Sequence, residues 1–267
     1  MADAPNPPPN PTGLDAYRPA EIAKRIETAG VAKTQLPLLS LGTLGALAGA
    51  FISFGAMFYL LVLAGADAGY GPVRMLAGVA FSLGLIMVVV GGAELFTGNA
   101  LIVMAWVDGL VELRALLRNW ALVYVANLVG ALGMVVLAGM AGLHKAPMGQ
   151  VAARIAVAKF QLPVLELLGR GVLCNALVCL AVWLSFAARD VPGKVLAIMF
   201  PISAFVALGL EHSIANMFLL PFGILAGAAG GVGDVAWNLL WVSLANVAGG
   251  AGGVAITYWA AYRPGRT

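Results

Sequence analysis

Two short polar segments interrupt long apolar stretches of this chain, Glu94-Leu-Phe-Thr-Gly-Asn99 and Glu211-His-Ser-Ile-Ala-Asn216. Each begins with a glutamate and ends with an asparagine, and the two glutamates are 117 positions apart (211 − 94). At membrane depth, ionisable side chains and irregular backbone are tolerated only where they face protein or a polar cavity. The matched pair therefore predicts two helix breaks that build one shared pore.

The composition is typical of a polytopic membrane protein. Hydrophobic residues make up 61% of the 267 residues, charged residues only 10%, and the mean hydropathy is +0.95. Because the solvent of such a chain is lipid, its apolar residues face outward as well as inward, and we expect one domain. The net charge of +3 is small, and nucleic acid is not indicated as a partner.

Six apolar blocks predict an all-α protein with six transmembrane helices. Each block is near or above the roughly 20 residues that span about 30 Å of hydrocarbon. The second and fifth blocks are too long for one plain span, and each contains one polar segment, which predicts two broken helices. The blocks lie at residues 36–65, 72–107, 117–143, 163–188, 194–228 and 232–262.

The remaining segments are predicted to be peripheral. Residues 1–17 form a Pro-rich head that we expect to be disordered, with no apolar core of a cleavable signal peptide. Residues 18–35 predict an amphipathic helix along the cytoplasmic surface, residues 36–262 the channel domain, and residues 263–267 a cytoplasmic tail. Ten basic residues on the side of the N-terminus against five on the other predict both termini in the cytoplasm, in a cell (inner) membrane.

The two halves of the chain resemble each other. Ala126-Asn-Leu-Val-Gly130 in the third block resembles Ala245-Asn-Val-Ala-Gly249 in the sixth, at an offset of 119 (246 − 127), close to that of the polar segments. Three spans per half is an odd number, so related halves must have opposite topology in the membrane. Inverted repeats of this kind place their site near the midplane, between the halves.

His212 is the strongest functional candidate, because an ionisable residue at a helix break inside the membrane indicates function. Histidine suits proton exchange, since its reference pKa of about 6.5 lies near neutral pH. Glu94 and Glu211 are more simply interpreted as braces of the unwound backbone, together with Asn99 and Asn216.

Other polar residues of the spans leave two interpretations open. The Thr97 hydroxyl is able to donate to an anion or an imidazole, or to bond its own helix backbone. Asn175 and Asn246 fit helix association as well as a pore wall. Cys174 and Cys179 are five positions apart on one helix, about 7.5 Å of rise, which is too far for a disulfide.

Three segments together resemble the formate/nitrite transporter family, at residues 91–99, 174–183 and 209–218. The resemblance extends from about Ala20 to Tyr262. It implies an aquaporin-like fold in a homopentamer embedded in lipid, with one anion pathway in each protomer and no cofactor.

The resemblance also implies roles for single residues. His212 corresponds to the central pore histidine of the family, Thr97 to the threonine of the first break, and Asn175 and Asn246 to its pore-side asparagines. Lys159 lies sixteen positions before Asn175 (175 − 159), like the vestibule lysine that attracts anions. Without the family, Lys159 would equally fit a lysine that extends to the membrane interface.

Two apolar constrictions are implied at the positions of Phe81, Leu85 and Phe205. An anion drawn toward Lys159 would stop there, because a bare charge in an apolar medium costs at least several kcal/mol. Proton transfer through His212, supported by Thr97, would produce the neutral acid that passes.

The substrate interpretation favours formate. The first three blocks look closer to formate channels, whereas residues 94–98 and 238–242 look closer to nitrite channels, so nitrite or hydrosulfide is the alternative. A neutral-solute channel of the aquaporin type would need paired Asn-Pro-Ala turns, which the sequence lacks. An enzyme is not expected, because the chain has two histidines and no Cys/His spacing that suits a metal.

Overall fold

The computed structural model describes residues 15–262 and forms one helical assembly. The predicted tail, and the predicted head except residues 15–17, lie outside the described residues. The α-helices are α1 (Pro19–Thr34), α2 (Leu38–Leu63), α3 (Gly71–Gly91), α4 (Val103–Val107), α5 (Leu113–Met140), α6 (Pro147–Phe160), α7 (Val164–Ala187), α8 (Val191–Ala207), α9 (Ser213–Leu225), α10 (Val232–Val247) and α11 (Thr257–Tyr262).

The helices account for the six predicted spans. Four of them, α2, α3, α5 and α7, are long and apolar enough to cross a membrane alone, as is the continuous stretch Val232–Tyr262, in which a π-helical segment joins α10 to α11. The remaining span is divided between α8 and α9, with 17 and 13 residues. At 1.5 Å per residue each is shorter than the hydrocarbon, so only the pair crosses it.

The second block differs in detail from the expectation of one interrupted helix. Its first part, α3, has 21 residues and is long enough to span by itself. After the break at residues 92–97 the chain continues as a 3₁₀ turn, Gly98–Ile102, and the single turn of α4. The break therefore follows a nearly complete span.

Glycine ends both interrupted helices in the same way. Gly92 after α3 has φ of +81°, and Gly209 after α8 has φ of +69°, and the two are 117 positions apart (209 − 92). In each case the next N–H closes the last turn, at 2.8 Å from the carbonyl of Val88 and 3.1 Å from that of Phe205. Other residues adopt this left-handed conformation only at a cost, so glycine defines where the helix stops.

Small residues bring the spans of each half into close contact. Gly130 of α5 lies against the carbonyl of Ala46 in α2, and Gly249 lies against the carbonyl of Val172 in α7, so closely that a methyl group would overlap either carbonyl. In lipid, such contacts replace the hydrophobic force that drives packing in water. The contacts are equivalent, since the glycines are 119 positions apart (249 − 130) and the carbonyls 126 (172 − 46).

The two halves meet along a pseudo-twofold axis. Tyr124 of α5 and Ser243 of α10 are 119 positions apart (243 − 124) and therefore equivalent, and their hydroxyls bond each other at 3.0 Å. Equivalent residues touch where a twofold axis passes between them. Helices α1–α5 form one repeat and α6–α11 the other, each with three spans, so the second begins on the opposite side of the membrane.

Candidate functional site

The two breaks come together at His212 and Thr97. The Thr97 hydroxyl oxygen lies 3.0 Å from His212 Nε2, and both side chains are almost fully buried. Thr97 ends the first break, whereas His212 caps the first turn of α9. The structure thus places one polar residue from each repeat at the shared position.

The hydrogen bonds assign a tautomer to His212. The N–H of Ala215 donates to His212 Nδ1 at 3.1 Å, so this nitrogen must be an acceptor. In the neutral imidazole Nε2 then carries the proton and donates to the Thr97 hydroxyl oxygen. This leaves the hydroxyl hydrogen of Thr97 available to a solute.

Asn175 and Cys179 hold the backbone beneath Thr97. The Thr97 carbonyl accepts from Asn175 Nδ2 at 3.2 Å and from the Cys179 thiol at 3.5 Å. Asn175 Nδ2 also donates to the Asn246 carbonyl at 2.6 Å, so it links the first break to the second repeat. Both cysteines are buried free thiols, as their spacing predicted.

Both polar atoms of the Asn246 side chain make hydrogen bonds to backbone groups. Its Nδ2 donates to the carbonyls of Gly171 and Glu211, at 2.8 and 2.9 Å, and its Oδ1 accepts from the N–H of Ser213 at 2.9 Å. Both N–H groups of the amide are used, so none is left to donate to an anion, and we propose that Asn246 positions the break rather than lining the pore. Asn127 makes the equivalent three bonds in the first repeat, to Gly45, Glu94 and Phe96.

A buried ion pair braces the second break. Lys159 Nζ lies 2.6 Å from Glu211 Oε1. Asn216 Nδ2 donates to Glu211 Oε2 at 2.7 Å and to Asn238 Oδ1 at 2.8 Å. We call these four residues the Lys159 cluster. Its carboxylate is 2% exposed and fully partnered, which a buried charge requires.

The first break carries the same arrangement, the Lys33 cluster. Lys33 Nζ lies 2.6 Å from Glu94 Oε1, and Asn99 Nδ2 donates to Glu94 Oε2 at 2.8 Å and to Asn119 Oδ1 at 2.9 Å. The glutamates and asparagines predicted as braces therefore bond each other in both repeats. Each break is tied to the first helix of its repeat, α1 or α6.

The two clusters differ in how tightly they hold the lysine. Lys33 Nζ has a second acceptor, Asn99 Oδ1 at 3.0 Å. The backbone carbonyl of Lys33 also accepts from Asn119 Nδ2 at 3.2 Å. In the Lys159 cluster the corresponding atoms, Asn216 Oδ1 and Asn238 Nδ2, have no partner within the described range 15–262. The ammonium of Lys159 therefore keeps more of its donors for other ligands.

Two cavities lie on opposite sides of the His212–Thr97 pair. The Lys33 cavity, of about 360 Å³, is lined by Lys33, Arg25, Lys194 and Leu85 among others. The Lys159 cavity, of about 200 Å³, is lined by residues that include Lys159, His212, Phe81 and Phe205. Both cavities are basic, which suits anions.

The predicted constriction residues are divided between these cavities. The rings of Phe81 and Phe205 pack edge to face in the Lys159 cavity, with centroids 5.5 Å apart, and Phe205 stacks 5.8 Å from the His212 ring. Leu85 lies on the other side, in the wall of the Lys33 cavity. Each cavity thus has a predicted constriction residue in its wall.

Sequence reasoning missed three members of the clusters, Lys33, Asn119 and Asn238. The two asparagines share the 119-residue offset of Asn127 and Asn246 (238 − 119), and a longer comparison of the halves would have found them. Lys33 and Lys159 are 126 positions apart (159 − 33). A comparison of the two halves at the single offset of 119 therefore does not pair the two lysines.

Comparison with known proteins assigns a family. The sequence model of the formate/nitrite transporter family matches residues 20–260. The formate channel FocA of Escherichia coli K12 is 40% identical over 216 residues, which cover 79% of this chain and 76% of the channel. A probable formate transporter of Methanothermobacter thermautotrophicus is 39% identical over 271 residues, covering 94% and 98%.

Two solved structures share the fold. A pentameric formate channel with formate bound has a TM-score of 0.78 and 36% identity, over 84% of this chain and 97% of the channel. An FNT family ion channel has a TM-score of 0.84 and 26% identity, over 90% and 98%. The predicted all-α membrane fold, with two broken spans in inverted repeats, is confirmed.

Proposed function

Because this chain belongs to the formate/nitrite transporter family, we propose that it conducts small monovalent anions, formate foremost, through a pore in each protomer. The family is one of transporters, so the protein is not an enzyme. The similar pentameric formate channel supports a homopentamer and formate as the substrate. Nitrite or hydrosulfide is the alternative within the family.

The observation that carries this proposal is the His212–Thr97 pair between two basic cavities. An anion gathered beside Lys159 meets the apolar rings of Phe81 and Phe205, where a bare charge would cost at least several kcal/mol. Protonation of the anion removes most of that cost. The neutral acid then passes the rings and gives up its proton in the opposite cavity.

We assign His212 and Thr97 as the proton relay. The single N–H of the neutral imidazole already faces Thr97, so the net proton comes from water in the Lys159 cavity. That proton binds Nδ1 in place of the Ala215 N–H, the Nε2 proton passes to the Thr97 oxygen and the Thr97 hydroxyl proton passes to the anion, so His212 and Thr97 both end neutral. Asn175 keeps Thr97 in place by donating to the Thr97 backbone carbonyl.

Swelling of proteoliposomes tests the proposed function. Isosmotic formate and nitrite should enter and swell vesicles that contain the protein, whereas lactate should enter slowly because the rings are close together. Glycerol should not enter faster than it enters empty vesicles. Rapid glycerol entry without formate entry would instead assign a neutral-solute channel.

Substitution of Phe205 by alanine should widen selectivity. The side chain is 4% exposed and packs against both Phe81 and His212, so its loss opens the space between them. We expect acetate and lactate fluxes to rise by about tenfold relative to formate, which corresponds to about 1.4 kcal/mol of barrier. Phe200→Ala, at an exposed position of the same helix, is the control. An unchanged ratio of the three fluxes would remove Phe205 from the constriction.

Substitution of Lys159 by alanine should reduce flux chiefly at low formate and low salt. Attraction by a charge is screened within about 10 Å at 0.1 M salt, so an attractor loses its effect as ionic strength rises. Lys159 has two possible roles, long-range attraction of anions and pairing with Glu211, and flux measured between 10 mM and 500 mM salt separates them. A loss that is equal at all salt concentrations would mean that Lys159 acts only as the partner of Glu211.

A further inference from the structure

Two arginines and a tyrosine line another cavity, beside the Lys159 cavity, and the proposed proton relay does not use them. This cavity, of about 260 Å³, is lined by Arg74 from α3, Arg154 from α6 and Tyr59 from α2, among others. Tyr59 is also part of the wall of the Lys159 cavity, so the two spaces are adjacent.

The three polar groups have no protein partner within residues 15–262. The guanidinium groups of Arg74 and Arg154 make no ion pair or hydrogen bond there, and neither does the Tyr59 hydroxyl. By contrast, the two other basic residues nearby are paired. Lys159 contacts Glu211, and Arg170 of the Lys159 cavity contacts Glu166 at 2.7 Å. Arg74 is partly buried, whereas Arg154 is exposed. A partly buried guanidinium such as that of Arg74 is costly without a carboxylate unless an anion supplies the negative charge.

Arg74 packs against the backbone at the end of α8. Its guanidinium lies against Gly209, where an added methyl carbon would be 3.2 Å from Nη2, and Arg170 Nη1 lies 3.4 Å from the Gly209 carbonyl. The glycine with positive φ that ends α8 is thus flanked by two guanidinium groups. Arg74 is held at the edge of the cavity rather than extending freely into solvent.

We propose that Arg74, Arg154 and Tyr59 form a binding site for planar anions with two oxygens, such as a monocarboxylate, at the mouth of the pore. A guanidinium offers two parallel N–H groups that match the two oxygens of a carboxylate, and the tyrosine hydroxyl adds a third donor. A spherical anion satisfies only one N–H of each fork. The site rests on the proposed function only in that the captured anion is the transported one.

The site is joined to the constriction by aromatic contacts. The ring of Tyr59 packs edge-on against Phe81, with centroids 6.2 Å apart, and Phe81 in turn contacts Phe205. An anion bound by Tyr59 therefore lies one side chain away from the constriction. Its role is to raise the local concentration of substrate next to Lys159.

The pseudo-symmetry makes the site one-sided. At the offsets of the two repeats, Tyr59 corresponds to Ser185 (185 − 59 = 126), Arg74 to Val191 (191 − 74 = 117) and Arg154 to Thr28 (154 − 28 = 126). None of these counterparts is charged, and the cations that line the Lys33 cavity beside Lys33, Arg25 and Lys194, lie at other positions of their helices. The site should therefore affect flux from the membrane face on which Lys159 opens, and not from the face of Lys33.

The test compares variants in right-side-out and inside-out membrane vesicles. The double variant Arg74→Gln/Arg154→Gln should raise the half-saturating formate concentration by about fivefold to tenfold from the Lys159 face, with an unchanged maximal flux. From the Lys33 face it should change nothing. Arg74→Lys/Arg154→Lys keeps the charge but loses the paired N–H groups, and should recover less than half of the loss. Lys145→Gln, exposed on the same side, is the control.

Equal shifts from both faces, or no shift, would overturn the site. Full recovery in the lysine variant would show that charge alone acts, and would overturn it also. If the wild-type protein conducts no formate, the proposed function fails instead. Binding of ¹³C-formate to the solubilised protein, followed by NMR, then decides the site separately, because the glutamine variant should lose binding that the Lys145→Gln protein retains.

Discussion

Replacement of His212 by phenylalanine should abolish the rise of formate uptake on acidification. Phenylalanine keeps the ring but removes Nε2–H, the donor to Thr97, and Nδ1, the acceptor for the first turn of α9. Without the relay the anion must cross the rings unprotonated. This raises the barrier by several kcal/mol and should lower formate flux at least about a hundredfold. Formate uptake into proteoliposomes between pH 5 and pH 8 measures the effect.

Two further variants make the outcome specific. His212→Asn retains a side-chain oxygen that suits the N-cap of α9, and should pass anions without coupling to protons. His144→Asn changes the other histidine of the chain, at the loop before α6, and should keep the wild-type pH profile. Size-exclusion chromatography should show the wild-type assembly for all variants. Intact proton coupling in both His212 variants would remove this residue from the mechanism.

Substitution of Glu211 by alanine should destabilise the protein by about 3 kcal/mol, because it leaves the largely buried ammonium of Lys159 and one N–H of the buried Asn216 amide without their acceptor. Glu211 is 2% exposed and binds both Lys159 and Asn216. For a chain of this size, the apparent melting temperature should fall by about 10 °C. Formate flux should fall with it, since the same carboxylate positions the break that carries His212.

The surface glutamate Glu166 provides the matched control. Glu166 pairs with Arg170 at 2.7 Å, but the two side chains are 49% and 40% exposed, so Glu166→Ala should cost less than about 1 kcal/mol. The double variant Lys159→Met/Glu211→Met should be more stable than Glu211→Ala alone, because it buries no unpaired charge. Equal losses for Glu211→Ala and Glu166→Ala would contradict a bracing role.

Much of the fold could be predicted from local patterns. Apolar block length identified the spans, and the paired polar segments identified the breaks, because a membrane allows irregular backbone in few places. The sequence could not show that α3 spans the membrane alone. That depends on where Gly92 adopts positive φ, and the neighbouring Gly91 is equally suited by composition.

The site was predictable only in part, because several of its residues are recognised by partners that lie far away in the sequence. His212 and Thr97 are ionisable or polar in apolar surroundings, so each is visible by itself. Lys33 belongs to a surface helix whose other basic residues are exposed, and its bond to Glu94 joins positions 61 residues apart. Arg74 and Arg154 likewise look like ordinary interfacial residues until the fold brings them to one cavity.

Simultaneous measurement of formate and proton movement tests the central proposal most directly. Proteoliposomes with an internal pH dye and ¹³C-formate outside should take up one proton with each formate, at a rate that follows the pH gradient and ignores an imposed membrane potential. The neutral acid carries no charge, so a potential has no force on it. Uptake that follows the potential and leaves the internal pH unchanged would contradict protonation at the His212–Thr97 pair.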